Sequence, residues 1–208
     1  SLTQHIGQLY IDKKNSLLWV GTSTYTHACF DMKQNKFVDF TSIGDTERPY
    51  RKIKHYGNDT WMFSNTSGIR HITFDNGKFS LTDYTAENHE LKSNDIRELC
   101  EDNNHSVWAA STKGMIKISP NRKATILEGD IEFLGCIAYK DKILAFSKKN
   151  QTAYIFNSNG KLKNKCILAS VMGRIGAIKG AIVWHGKWIM FTNDATYSSD
   201  INAGRFAK

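Results

Sequence analysis

The chain has no apolar run approaching the roughly 18 to 20 residues needed to cross a bilayer, and Ser1-Leu2-Thr3 does not open a charged-then-apolar signal sequence. The expectation is a soluble segment of a longer protein whose targeting and membrane segments lie outside it. The four cysteines, Cys29, Cys100, Cys136 and Cys166, form no CxxC pair and do not cluster with histidine, which argues against a zinc site. Their even number permits disulfides in an oxidising compartment without arguing for them; small buried hydrophobes is the simpler reading. Phosphate-binding loops of the P-loop or dinucleotide type are missing. So are a phosphoacceptor-histidine helix and a glycine-rich ATP lid. The seven histidines are scattered, and no Ser-His-Asp grouping is favoured by spacing. The expectation is therefore a chain with no catalytic residues, no metal and no cofactor.

Basic clustering is lacking too, although the net charge is +8. The densest basic stretches, Arg51-Lys52-Ile53-Lys54 and Lys161-Leu162-Lys163-Asn164-Lys165, alternate with apolar residues as solvated strand faces do. A nucleic-acid partner is not expected, because a phosphate-binding footprint needs concentrated positive charge. Charged residues make up 23% and hydrophobic residues 40% of 208, enough apolar material for a sizeable core.

What is present is repetition. Leu18-Trp19-Val20-Gly21-Thr22 has weaker copies in Trp61-Met62-Phe63-Ser64, Trp108-Ala109-Ala110-Ser111, Leu144-Ala145-Phe146-Ser147 and Ile189-Met190-Phe191-Thr192. The hydroxyl position recurs at spacings of 42, 47, 36 and 45 residues. A period near 40 signals a repeat architecture. Each copy sits among short apolar stretches bounded by turn residues, with no helical period between them. In the first repeat these are Ile6 to Ile11, Leu17 to Thr22, Ala28 to Asp31 and Phe37 to Phe40, with Ile6, Leu9 and Ile11 expected to face a core. The Asn76-Gly77 pair supplies the positive φ angles of a tight hairpin in the second. After Thr192 the strand pattern of the fifth repeat dissolves.

Four-stranded antiparallel meanders at this period predict an all-β fold of β-propeller blades, each burying its faces against its neighbours. The blades are expected at 4–48, 49–92, 93–129, 130–171 and 172–208, the last incomplete, as a single segment of a larger propeller. Such a segment would form an open arc or self-associate, a homodimer included, through uncovered blade faces. Trp19, Trp61, Trp108, Leu144 and Ile189 are expected to fill layers between blades, and all five tryptophans to be packing residues. Thr22, Ser64, Ser111, Ser147 and Thr192 are expected to satisfy backbone groups at the strand end. Cys100 and Cys136, each eight residues before Trp108 and Leu144, should occupy one repeat-equivalent site.

The segment Leu18-Trp19-Val20-Gly21-Thr22, with Glu101-Asp102, Val107-Trp108 and Gly114-Met115 in the third repeat, resembles the two-component regulator propeller repeat. The second, fourth and fifth repeats match it in layout only. The resemblance implies the periplasmic sensor region of a Bacteroidetes-type hybrid two-component histidine kinase. There, two successive seven-bladed propellers precede an immunoglobulin-like domain, a membrane helix and the kinase, and sense glycan fragments. The implied function is a non-catalytic sensor module, with an oligosaccharide and the other blades of the sensor region as partners. A free-standing propeller acting as a protein-interaction scaffold is the alternative, or a propeller lyase or glycosidase.

Ligand contacts are expected in loops, which vary while strands keep the frame. Tyr25 could stack on a sugar ring beside His27, and Asn65, Lys113, Lys149 and Asn193 could bond hydroxyls or a carboxylate. The basic charge favours an acidic glycan over a neutral one.

Overall fold

The computed structural model describes residues 6–22, 27–40, 48–147, 151–168, 178–202 and 205–208. All regular structure among them is antiparallel β-sheet, and none of it is a helix long and apolar enough to cross a membrane. The chain divides into two compact units, Ser1–Ile96 and Arg97–Lys208.

The first unit holds two four-stranded meanders. One runs β1 (Ile6–Asp12), β2 (Leu17–Thr22), β3 (His27–Asp31) and β4 (Lys36–Phe37); the other runs β5 (Lys52–Tyr56), β6 (Asp59–Phe63), β7 (Ile69–Asp75) and β8 (Lys78–Tyr84). In both, consecutive strands are hydrogen-bonded neighbours, so each sheet is built from local hairpins. Asn76 and Gly77 adopt φ of 49° and 78°, the left-handed pair that closes the β7–β8 hairpin with Asp75 facing Lys78. Leu17, Trp19, Cys29, Phe40, Tyr50, Ile53, Met62 and Ile72 form the core between these two sheets. Alternation explains who joins it: Trp19 pairs with Tyr10 and Cys29 on one face, whereas Leu18 pairs with Ile11 and Phe30 on the other.

That second face corrects one expectation. Ile6, Leu9 and Ile11 do not enter the core; each is more than half exposed, as is Phe37. Their alternation is that of an apolar sheet face, but it is the face turned away from the Trp19 layer.

The second unit holds three sheets. The first comprises β9 (Ile96–Glu101), β10 (Val107–Ser111), β11 (Gly114–Ile118) and β12 (Ala124–Leu127). The next comprises β13 (Phe133–Tyr139), β14 (Lys142–Ser147), β15 (Thr152–Asn157) and β16 (Leu162–Ile167). The last has three strands, β17 (Ile178–Trp184), β18 (Lys187–Thr192) and β19 (Thr196–Asp200). One core layer, containing Cys100, Trp108, Met115, Phe133, Cys136, Tyr154 and Phe156, joins the β9–β12 and β13–β16 sheets. Another, containing Leu144, Phe146, Ile155, Trp188, Met190, Tyr197 and Phe206, joins β13–β16 to β17–β19. Burying large aromatic and aliphatic side chains on both faces of the β13–β16 sheet is the main force holding this unit together, at roughly 1.5–3 kcal/mol per fully buried side chain.

The last sheet departs from the sequence reading in three ways. A third strand forms where the pattern dissolves, because Tyr197 and Ser199 turn inward in alternation, and Ser198 is further bridged to Ala207. In β18 the buried residues are Trp188 and Met190; Ile189, the position equivalent to Trp108, lies on the opposite face and is half-buried. Trp184 is likewise no packing residue: it is 61% exposed at the β17–β18 hairpin, against the edge of the His185 ring.

Candidate functional site

In the second, third and fifth sheets the loop joining second to third strand is shaped by the recurring hydroxyl. Ser64 Oγ accepts from the amides of Thr66 (3.2 Å) and Ser67 (2.9 Å). Ser111 Oγ accepts from the Lys113 amide (3.1 Å) and donates to the Gly114 carbonyl (2.8 Å). Thr192 Oγ1 accepts from Asp194 and Ala195 amides (3.2 and 3.1 Å) and donates to the Ala195 carbonyl (3.0 Å). A side-chain oxygen bonding amides two and three residues on is a local turn device. At Ser64, Ser111 and Thr192 the hydroxyl is thus consumed in folding the loop, and the residues after it are what the loop presents. The buried Ser147 Oγ departs from the expectation, having no hydrogen-bond partner among the described residues. Trp19, Trp61, Trp108, Leu144, Ser64, Ser111 and Ser147 are all buried; the side chain of Thr22 lies outside the described residues.

In the first unit the best-defined polar cluster lies at this end of β7. Arg70, only 1% exposed, forms a bidentate pair with Asp83, Nε to Oδ1 at 2.7 Å and Nη2 to Oδ2 at 2.9 Å. The Tyr50 ring lies over the guanidinium at 5.1 Å, and the His27 ring meets Tyr50 at 6.1 Å and Phe40 at 5.7 Å. Ser67 Oγ donates to the Pro49 carbonyl at 3.0 Å, and the Gly68 amide to the Asn94 carbonyl at 3.0 Å. Gly68 has φ of 76°, and a Cβ there would stand 2.3 Å from the Tyr84 carbonyl oxygen, so the loop passes against β8 where only glycine fits. The neighbouring 85–94 segment is stitched to it: Asn94 Oδ1 accepts from the Ala86 amide at 2.8 Å while Asn94 Nδ2 donates to Glu87 at 2.7 Å. Bonds from its own backbone amide, from Thr85 and from Asn94 hold the Glu87 carboxyl below its ordinary range, with Arg48 a smaller influence.

Within this frame Asn65 is partly buried, and its Oδ1 has no hydrogen-bond partner among the described residues. His27 is half-buried at the start of β3, with its ring in the aromatic contacts above. Lys113 and Asn193 belong to the second unit, each exposed in its own loop. Tyr25 and Lys149 lie outside the described residues. Arg70, Asp83 and Tyr50 were missed by sequence reasoning, although the turn at Asn76–Gly77 places Arg70 opposite Asp83.

The cluster is built to hold a loop and to offer hydrogen bonds, since the Arg70 charge is already met by Asp83. No group of three or more His, Cys, Asp or Glu side chains that could hold a metal occurs among the described residues.

No protein-family model matches the chain, and no curated protein sequence does. Among solved structures, the WD40 domain of Pan2 from Neurospora crassa matches over 99% of this chain and 65% of its own, with a TM-score of 0.61 and 11% identity. WD40 repeats build propellers of four-stranded blades. The five sheets are β-propeller blades. The extracellular domain of a protein assigned to the hybrid two component systems of B. thetaiotaomicron matches 98% of this chain and 29% of its own, with a TM-score of 0.69 and 18% identity. A second such domain from the same bacterium matches 95% of this chain and 27% of its own, with a TM-score of 0.56 and 16% identity. The chain thus spans under a third of either bacterial domain.

Proposed function

We propose that these blades are part of a non-catalytic extracytoplasmic sensor module. They would contribute to detecting a glycan-derived signal in the periplasm and passing its presence to a histidine kinase. The observation that carries the reading is the likeness to the extracellular domain from a hybrid two component system, which extends over 98% of the chain. The Leu18-Trp19-Val20-Gly21-Thr22 and Asp102 to Met115 motifs support it from the sequence side.

The signal is read by the loops beyond the hydroxyl position. Asn65 offers a buried, unpartnered carbonyl oxygen, and Lys113 and Asn193 are exposed in the corresponding loops of the second unit. With a net charge of +8, acidic oligosaccharides are drawn more strongly than neutral ones.

Calorimetric titration of the protein with uronic-acid and neutral oligosaccharides tests this. Saturable binding of an acidic fragment, weakened by Asn65→Ala or Lys113→Ala, is the expected result. No heat from any oligosaccharide in either set would overturn the sensor reading, and equal binding of both sets would overturn the charge preference alone.

A further inference from the structure

Cys100 and Cys136 lie on the first strands of two neighbouring blades, β9 and β13, on faces turned towards each other. Cys100 shares the layer of Trp108, whereas Cys136 lies on the side of its sheet opposite Leu144, so the equal eight-residue offsets do not make the two positions repeat-equivalent as the sequence led one to expect. The thiol of Cys100 donates to Cys136 Sγ at 3.4 Å. Both are buried in the layer between the blades, among Trp108, Phe133 and Ala145. Cys136 pairs directly with Ala145 on β14, so the residue facing it across the strand pair is small. The Glu98 and Trp108 carbonyls, at 3.8 and 3.6 Å from Cys136 Sγ, are the other acceptors in reach. Nothing else among the described residues gathers with this pair into a metal-binding group.

We propose that Cys100 and Cys136 form a disulfide that staples the third blade to the fourth when the protein meets a disulfide oxidant. A covalent S–S bond is about 2.05 Å long, so the two sulfurs must close by about 1.4 Å in total, a shift that side-chain rotation and small strand movements can share. The chemistry is thiol–disulfide exchange with a small-molecule or protein disulfide. The thiolate of one cysteine attacks a sulfur of the oxidant, breaking its S–S bond and releasing one thiolate. The second cysteine thiolate then attacks the mixed disulfide at the first Sγ, forming the Cys100–Cys136 bond and releasing the second thiolate. Two protein thiols are oxidised and the oxidant disulfide is reduced to two thiols, which take up the two protons lost. Attack occurs during folding or in transient opening of the layer, since both sulfurs are buried in the closed state.

The other two cysteines make the pair specific. Cys29 belongs to the first unit, and burial, with Asp31 and Asp12 nearby, pushes its thiol up to about 12, which leaves almost no thiolate. Cys166 stands on β16 on the Leu144 side of its sheet, in the layer facing β17–β19.

The test is oxidation of the protein by oxidised glutathione, both folded and while refolding from denaturant, followed by alkylation under denaturing conditions and peptide mapping. The expected result is a loss of two mass units, two alkylated cysteines (Cys29 and Cys166), a linked Cys100–Cys136 peptide pair, and a melting temperature higher by on the order of 5 °C or more. The Cys29→Ser/Cys166→Ser variant should give the same bond, and Cys136→Ser should abolish it. Four alkylated cysteines after both treatments, or a link through Cys29 or Cys166, would overturn the proposal. Occurrence of the bond in the cell rests on the extracytoplasmic placement proposed above. Protein that oxidises at this pair in vitro but is isolated with both thiols reduced would overturn that placement and leave the cross-link standing.

Discussion

The indole Nε1 of Trp108 donates to Oδ2 of Asp102 at 2.8 Å, and both residues are buried. The other carboxylate oxygen accepts from the Asn104 and Ser106 amides at 2.8 and 3.0 Å, so one acid closes the β9–β10 turn and satisfies the blade's central tryptophan. In the first blade the corresponding acid, Asp12, stands one residue further from its tryptophan. It bonds Asn15 instead, and Trp19 Nε1 has no partner among the described residues. The acid-to-tryptophan spacing of the third repeat therefore has a mechanical meaning, a buried indole donor with a dedicated acceptor. Asp102→Ala removes three acceptor contacts and strands a buried N–H, which should cost about 3 kcal/mol in urea unfolding. Asp102→Asn keeps one carbonyl and should cost about half of that. Equal midpoints for Asp102→Ala and the parent would refute the role.

The buried pair in the second blade predicts an asymmetry. Arg70 is 1% exposed, whereas the Asp83 side chain is 27% exposed. Removing the acid leaves a guanidinium with little access to water, while removing the arginine leaves a carboxylate that solvent can reach. Asp83→Ala should destabilise by about 3–5 kcal/mol, and Arg70→Met by clearly less. Adding Arg70→Met to Asp83→Ala should recover part of the loss. A double-mutant cycle in which the two single changes cost the same would count against this account.

This pair also marks how far the sequence could be read. Asn76–Gly77 fixes the β7–β8 register, and positions equally far from that turn must face one another, so Arg70 opposite Asp83 could have been inferred. The repeat spacing made the five meanders legible because each hairpin is closed by its own turn residues. Trp188 and Trp184 were harder. In β17 and β18 both faces carry large apolar residues, so alternation alone does not tell which face finds a partner. Ile6, Leu9 and Ile11 failed for another reason: theirs is plainly the apolar face of β1, yet the core lies on the face of Gln8, Tyr10 and Asp12, which pair with Gly21, Trp19 and Leu17. The hydroxyls of Ser64, Ser111 and Thr192 were readable as backbone partners, that of Ser147 was not, and the identity of a ligand is not written in residues spent on holding the loops.

His55 makes stability depend on acidity. Its ring stacks on Tyr10 with centroids 3.4 Å apart and takes part in a 3.0 Å hydrogen bond with Thr60 Oγ1. Burial lowers its pKa to about 4, opposed only in part by the Asp12 charge. The unfolded chain therefore binds the proton first, and stability is fully present above the ordinary histidine value near 6.5. As pH falls from there towards 4 the unfolded state gains protons that the folded state refuses, and stability declines; below 4 this contribution levels off. Allowing for the solvent that still reaches the ring, the loss is roughly 1–2 kcal/mol. Urea midpoints measured from pH 7.5 to 4 should show this slope in the parent and a shallower one in His55→Phe. An unchanged slope in that variant would remove His55 from the explanation.

Two glycines separate backbone strain from collision. Gly57 has φ of 59° with nothing within 4 Å of a built Cβ, so Gly57→Ala should cost only the left-handed penalty, about 1 kcal/mol. At Gly68 the same penalty is joined by a Cβ 2.3 Å from the Tyr84 carbonyl oxygen, a backbone atom held in the Ile69–Tyr84 pairing of the β7–β8 ladder. The collision can be relieved only by moving the 64–68 loop or the end of β8. Gly68→Ala should therefore destabilise by more than about 3 kcal/mol, with faster hydrogen exchange at the Gly68 amide and at the Ile96 amide bonded to the Ser64 carbonyl. If Asn65 contacts oligosaccharide as proposed above, the same substitution should weaken that binding without altering the Asn65 side chain itself. Equal costs at the two glycines would mean that the loop yields freely and does not hold Asn65 in a fixed geometry.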